Sequence, residues 1–296
     1  MTTSRRVLCC LLLNLCCWKN AAVAVEVVDY KQRRVHLAHA ARRIVALAPH
    51  IVENLFAAGA GGQIVGVVDY CDYPAAALDI PRVGSLSGYS LEAIARAKPD
   101  LIVLWDSGHS AHMLTQLEKL GVAVYVSDPR HLQDVPRSIR DYGVLSGHEE
   151  HAELAAAAFE TRRATLQARY SHKPPVRTLY QVWNDPIQTI NDKHIISDVM
   201  RLCGGENAFG DALALAPKIS VESVIARNPD AIIASGMAEQ RPDWLDDWKA
   251  WPLLKAVTHN HLYFIPPDII QRHTPRILDG AAMLCEQLDR SRAPPR

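Results

Sequence analysis

Residues 90–104 read SLEAIARAKPDLIVL, and residues 220–234 read SVESVIARNPDAIIA. At a constant offset of 130, Ser90/Ser220, Glu92/Glu222, Pro99/Pro229, Asp100/Asp230 and Ile102/Ile232 coincide. Each copy reads as a short helix, a Pro-Asp break and a buried strand. The serine can cap the helix, and the glutamate lies in the first turn, where the helix dipole favours a negative charge. The residue before proline is pushed out of the helical region, which ends the helix near Lys98 or Asn228. The apolar run that follows suits a strand covered on both faces. Two such units far apart in sequence imply two lobes of similar construction with a cleft between them, the usual seat of a small ligand.

Working outward, the first lobe begins with the strand Arg43 to Ala48, a helix from about Ile51 to Ala58, and the strand Ile64 to Val68. A loop-rich segment, Tyr70 to Tyr89, leads into the first repeat copy and the strand Leu101 to Trp105. A helix over Ala111 to Leu120 and the strand Val122 to Val126 follow. Strands alternating with helices at this spacing predict βαβ units and mostly parallel sheets. Residues 148–170 (HEEHAELAAAAFETRRATLQARY) contain no glycine or proline. They predict one long helix of about 35 Å, a stiff connector between lobes. The second lobe opens with the strand Arg177 to Trp183 and a helix over Ile195 to Cys203. The second repeat copy, a Trp-rich helical stretch (244–251), the strand His261 to Ile265 and a Pro266-Pro267-Asp268 turn follow. A last helix runs from about Pro275 to Arg290. The expected class is therefore α/β, with two Rossmann-like lobes joined by one long helix. The boundaries are 25–147 for the first lobe, 148–171 for the connector, 172–290 for the second lobe, and a disordered tail over 291–296.

The N-terminus has a different character. Arg5 and Arg6 precede an apolar stretch from Val7 to Leu15, and Ala22-Val23-Ala24 supplies a small-residue cleavage site. That is the layout of a secretory signal peptide over residues 1–24, too short to span a bilayer. Cys16 after Leu13-Asn14-Leu15 leaves a lipoprotein signal as an alternative. Cleavage removes Arg5, Arg6 and Lys19, three of the 32 basic side chains, and none of the 32 acidic ones, so the mature chain carries −3. Such a balance implies no field for nucleic acid. Three cysteines remain, Cys71, Cys203 and Cys285. In an exported protein two of three are expected to pair. Cys203 and Cys285, both in the second lobe, are the expected pair, with Cys71 left over.

Several segments carry a resemblance: RIVALAPHIVENLFAAG (43–59), DYCDYP (69–74), LEAIARAKPDLIVLW (91–105), LCGGENAF (202–209) and PRILDGAAMLC (275–285). With these the chain resembles the helical-backbone (class III) substrate-binding proteins of ABC importers, which serve vitamin B12, ferric siderophores and haem, and among them the vitamin B12-binding members. The resemblance implies a periplasmic monomer that binds a corrinoid in its cleft and delivers it to a permease dimer, with no resident cofactor and no catalysis. It places Tyr70, Trp105 and Asp268 at ligand-contacting positions and Cys203–Cys285 at the family's disulfide. Glu92 and Glu222 fall at the two permease-docking glutamates. Tryptophans that flank the corrinoid in the vitamin B12-binding members are replaced here by Leu86 and Ala216. A flat macrocycle could still pack against Tyr70, Leu86, Tyr89, Trp105 and Trp183.

The residues also bear on rivals. A siderophore site offers arginines to anionic groups, and Arg272 and Arg276 could serve. His109/His112 and His148/His151 have the i, i+3 spacing of a zinc pair, which an exported metal-dependent enzyme could use, though no third ligand is marked. His50, His131 and His273 lie near predicted loop ends, from which an imidazole could reach cobalt or iron. The chain has no G-x-S-x-G elbow, P-loop, H-E-x-x-H or G-x-G-x-x-G, the common catalytic and phosphate-binding signatures.

Overall fold

The computed structural model describes residues 24–85, 88–108, 111–236 and 240–292. The expected signal peptide and its alternative lipid site at Cys16 lie outside these residues, as do Leu86 and His109.

An antiparallel hairpin of β1 (Val25–Val28) and β2 (Arg34–Leu37) leads into the first lobe. There β3 (Ile44–Ala46), α1 (Pro49–Ala57), β4 (Ile64–Val67), the short hairpin β5 (Gly84–Ser85) and β6 (Gly88–Tyr89), α2 (Leu91–Arg96), β7 (Leu101–Trp105), α3 (Ala111–Glu118) and β8 (Ala123–Ser127) succeed one another. Next come α4 (Asp134–Ser146) and the 22-residue connector α5 (Glu149–Tyr170). The second lobe holds β9 (Val176–Gln181), the hairpin β10 (Trp183–Asn184) and β11 (Ile187–Gln188), α6 (Ile195–Leu202), β12 (Gly205–Asn207), α7 (Val221–Arg227) and β13 (Ala231–Ala234). A 3-10 segment (Asp243–Ala250), α8 (Lys255–Thr258), β14 (Leu262–Phe264), α9 (Pro267–Ile270) and α10 (Ile277–Arg292) complete it.

The two main sheets are parallel and share one topology. Strand order is β4-β3-β7-β8 in the first lobe and β12-β9-β13-β14 in the second. In each lobe the first strand is central, the second lies on one side of it, and the third and fourth lie on the other. The order therefore reverses beside β3 and β7 in one lobe and beside β9 and β13 in the other. Such switch points, at the carboxyl ends of the strands, are where open α/β sheets leave a ligand crevice.

The repeat accounts for the matching geometry. Ser90 accepts the Ala93 amide at 3.1 Å and Ser220 the Ser223 amide at 3.3 Å. Lys98 and Asn228, each before its proline, both turn into the left-handed region at φ 46° and 43°. Asp100 then accepts the Arg42 and Arg43 amides at 2.8 and 2.9 Å, and Asp230 the Arg177 amide at 3.1 Å. Each aspartate thus clamps the entry to the first strand of its own sheet. The strands between are buried throughout, Leu101–Leu104 and Ala231–Ala234 alike.

One stretch without an expectation gains an element, and two expectations change. The stretch between β8 and the connector is a helix, α4, which ends at Gly147 with φ 76°. It crosses α5 so closely that a Cβ on Gly143 would collide with the Ala152 methyl. Ser291 and Arg292, assigned to a disordered tail, continue α10; the Arg292 guanidinium bonds the carbonyls of Cys203 and Gly204 at 2.8 and 3.0 Å and so holds the helix end down. The Pro266-Pro267-Asp268 turn is the start of α9, with proline at the first helical position and Asp268 in its first turn, a placement that proline's fixed φ and missing N–H favour. Cys203, at the end of α6, and Cys285, in α10, are disulfide-bonded, and Cys71 is a free, buried thiol.

Candidate ligand cleft and docking surface

The floor between the lobes is built from charges and imidazoles. Glu53 faces inward from α1, and its side chain is only 3% exposed. It accepts Arg276 Nε and Nη2 at 2.9 and 2.7 Å and Arg272 Nη1 at 2.9 Å. Arg272 also reaches Asp72 at 2.7 Å and Asp268 at 2.9 Å. The Arg276 guanidinium lies 3.9 Å from the centre of the Tyr73 ring. Two arginines from the second lobe are thus shared among two carboxylates of the first lobe and one of their own. A buried carboxylate is tolerated only when so paired, and bidentate arginine geometry suits the task.

Beside this network, His50 and Trp105 of the first lobe meet His273 of the second. The His50–Trp105 and His50–His273 ring centres are 5.1 and 5.4 Å apart, and Trp105–His273 6.2 Å. His194, which caps α6 by accepting the Ile196 amide, lies 6.2 Å from His273. Burial holds these imidazoles neutral. It lowers His50 to about 3 and His194 to about 4 and holds His273 well below the usual histidine value, helped there by its two neighbouring histidines. His50 and His273 are therefore parts of the lobe interface, while His131 pairs at 3.0 Å with Asp198 across from α6. Of the proposed zinc spacings, His112 bonds Gln116 and His148 sits near Ser146. Among the described residues no group of three or more His, Cys, Asp or Glu is arranged to hold a metal ion.

Of the expected ligand residues, Trp105 and Asp268 touch this floor directly. Tyr70 follows β4, with φ 63° and its side chain 72% exposed. A non-glycine residue at positive φ is uncommon and collects at functional positions. Trp105 ends β7 and is half-buried, its ring edge against the two imidazoles and its indole N–H buried without a partner. Asp268 and Asp72 both pair with Arg272. Trp183, in β10, is 41% exposed and donates its indole N–H to the Asp185 carbonyl at 3.0 Å. Trp183 thus opens the β10–β11 hairpin rather than ending β9, where the sequence had put it. Ala216 lies beside the same hairpin, its carbonyl accepting Gln188 Nε2 at 3.2 Å. Glu53 had no signal in the sequence beyond an acid inside an apolar helix, HIVENLF (50–56), which needed a buried partner.

Glu92 and Glu222 occupy the first turns of α2 and α7. The Glu92 side chain is 82% exposed and pairs with Arg96 one turn on. Glu222 is fully exposed, with its carboxyl held below the usual range by the Ser220 hydroxyl and its own backbone amide. The exposure pattern over 221–227 repeats that over 91–97 position for position. The two acids are therefore equivalent points on equivalent lobes.

A family model described as periplasmic binding protein matches residues 44–269. The vitamin B12-binding protein of Vibrio cholerae is 35% identical over 249 residues, 84% of this chain and 89% of the relative. That of Yersinia pestis is 35% identical over 251 residues, 85% and 88% of the two chains. The crystal structure of the periplasmic vitamin B12 binding protein BtuF of Vibrio cholerae superimposes with a TM-score of 0.79 at 33% identity, covering 86% of this chain and 99% of that one. A periplasmic heme-binding protein of Roseiflexus shares the fold at 23% identity and a TM-score of 0.71, covering 85% and 99%. The chain belongs to the periplasmic binding protein family.

Proposed function

We propose that the protein captures a corrinoid, cobalamin first among them, in the cleft between its lobes and delivers it to the permease of an ABC importer. It works in the periplasm after loss of residues 1–24, as a monomer, with the corrinoid as cargo and no chemistry of its own. The observation that carries the choice of ligand is the state of the cleft floor. The two arginines the sequence offered to an anionic siderophore, Arg272 and Arg276, are neutralised by Glu53, Asp72 and Asp268. What the rims offer instead is exposed aromatic surface at Tyr70 and Trp183, suited to a large, flat, mostly apolar ring. The vitamin B12-binding relatives, at 35% identity, support the same reading. A single helix connecting the lobes and an ion-paired floor limit closure, so affinity comes from a largely preformed cleft.

The test is the absorbance of protein isolated from cells supplied with cobalamin, haem and a ferric siderophore, which have distinct spectra. Co-purified corrinoid is expected. Tyr70→Ala is expected to lower cyanocobalamin affinity about tenfold, with circular dichroism unchanged. Co-purified haem or ferric complex, with no corrinoid, would refute the assignment.

A further inference from the structure

A cavity of about 340 Å³ lies at the hinge, where the loop before α4, the end of α5 and the helix α6 meet. It shares no residue with the floor of Glu53, Arg272, Arg276, His50 and His273. Arg163, Gln167 and Ser171 recur every four residues along the connector and its cap, so they stand on one face, and all three line the cavity. Gln133 closes it from the first lobe and Arg201 from the second. The charges here are unequally partnered. Asp198 accepts His131 Nδ1 at 3.0 Å and the Leu132 amide at 3.1 Å, both from the first lobe, and also pairs with Arg201. Arg201 reaches Asp192 at 3.2 Å as well. Arg163 makes no hydrogen bond or ion pair among the described residues, and its Nε is buried without an acceptor. Glu160, the acid one turn before it, is held by Arg140 at 2.7 and 3.0 Å.

Such a groove ordinarily fills with water. Water can accept a hydrogen bond, but it leaves the charge of Arg163 uncompensated, and a partly buried charge is costly without a partner. Apart from His131, the charged side chains of the lining are two arginines and one aspartate, which leaves one positive charge over. Gln133, Gln167 and Ser171 add neutral donors whose side chains make no hydrogen bond among the described residues. A cavity of about 150 Å³ holds a benzene molecule, so this larger one has room for more than a bare oxyanion. We propose that the hinge cavity binds a small organic anion, a phosphate or carboxylate carried on a compact polar body, with Arg163 as its principal cation. A guanidinium pairs with either head group through parallel N–H bonds, and the amides and hydroxyl serve the polar body. The bound anion ties the connector to both lobes and so favours the lobe placement seen here.

Thermal midpoints of the cargo-free mature protein, at constant ionic strength, test this with glycerol 3-phosphate, citrate, inorganic phosphate and chloride. Glycerol 3-phosphate or citrate is expected to raise the midpoint saturably, as a ligand of the native state does, while chloride does not. A rise with one organic anion and not the other identifies the head group. Calorimetric titration with the effective anion should then show Arg163→Gln binding about tenfold or more weakly, with circular dichroism unchanged. Should that variant fail to fold, Gln167→Ala, on the exposed face of the connector, should weaken binding about threefold. No saturable rise with either organic anion, a rise with inorganic phosphate alone, or wild-type affinity in the variants would overturn the site. None of these outcomes bears on corrinoid binding.

Discussion

Asp100 and Asp230 do the same work in the two lobes, each holding the backbone amide that starts its first central strand. A lost hydrogen bond costs about 1 kcal/mol. Asp100→Ala, which loses two amide partners, is expected to cost about 2 kcal/mol and Asp230→Ala about 1 kcal/mol, read from urea midpoints. Equal stability of both variants with wild type would deny the clamp. Glu53 is a harsher case, because Glu53→Ala leaves Arg272 and Arg276 without their shared buried partner. Breaking a buried pair in this way costs about 3–5 kcal/mol. The variant should unfold at markedly lower denaturant, and a cost under about 1 kcal/mol would show that the floor does not depend on this network.

We propose that helices α2 and α7 form the docking surface for the permease. Glu92 and Glu222, at their exposed first turns, suit a permease dimer with a basic residue on each half. Rim charges mainly set orientation and on-rate, and engaging both at once is worth more than either. Glu92→Ala/Glu222→Ala is expected to keep wild-type ligand affinity yet lose most uptake with its own transporter in vesicles, the single variants being intermediate. Undiminished uptake would reduce both acids to helix-dipole residues. These elements were legible because capping serine, first-turn glutamate and Pro-Asp stop are local signals. The helix α4 had no reading in the sequence; Pro136 sits in its first turn, where proline is at home, and Gly143 is demanded by the α5 crossing. Hairpins of two-residue strands carry no period to read. Trp105 was legible as the end of β7. The floor was not, since Glu53 finds its arginines 219 and 223 residues away.

Taken whole, the molecule is two lobes locked at the floor by neutral histidines and paired charges, with the disulfide tying α6 to α10. Closing an 82-residue span stabilises by up to about 4 kcal/mol in the chain-entropy model, so reduction should lower the denaturation midpoint. His50 and His194 are lowered to about 3 and about 4, and His273 is lowered too. Below pH 6.5 the unfolded chain therefore takes up protons that the native state refuses. Stability is full above that pH and falls as pH drops toward the native values, by up to about 2 kcal/mol per histidine at pH 5. Urea midpoints between pH 7 and 5, above the carboxylate range, should show this slope, and His194→Gln should flatten it; a pH-independent midpoint would contradict a neutral imidazole interface. The central claim is that the cleft takes a corrinoid. Calorimetric titration of the mature protein with cyanocobalamin, haem and a ferric siderophore in parallel tests it most directly. The account predicts saturable one-to-one binding of cyanocobalamin, with the other two weaker or silent; saturable haem or siderophore binding with no heat from cyanocobalamin would contradict it.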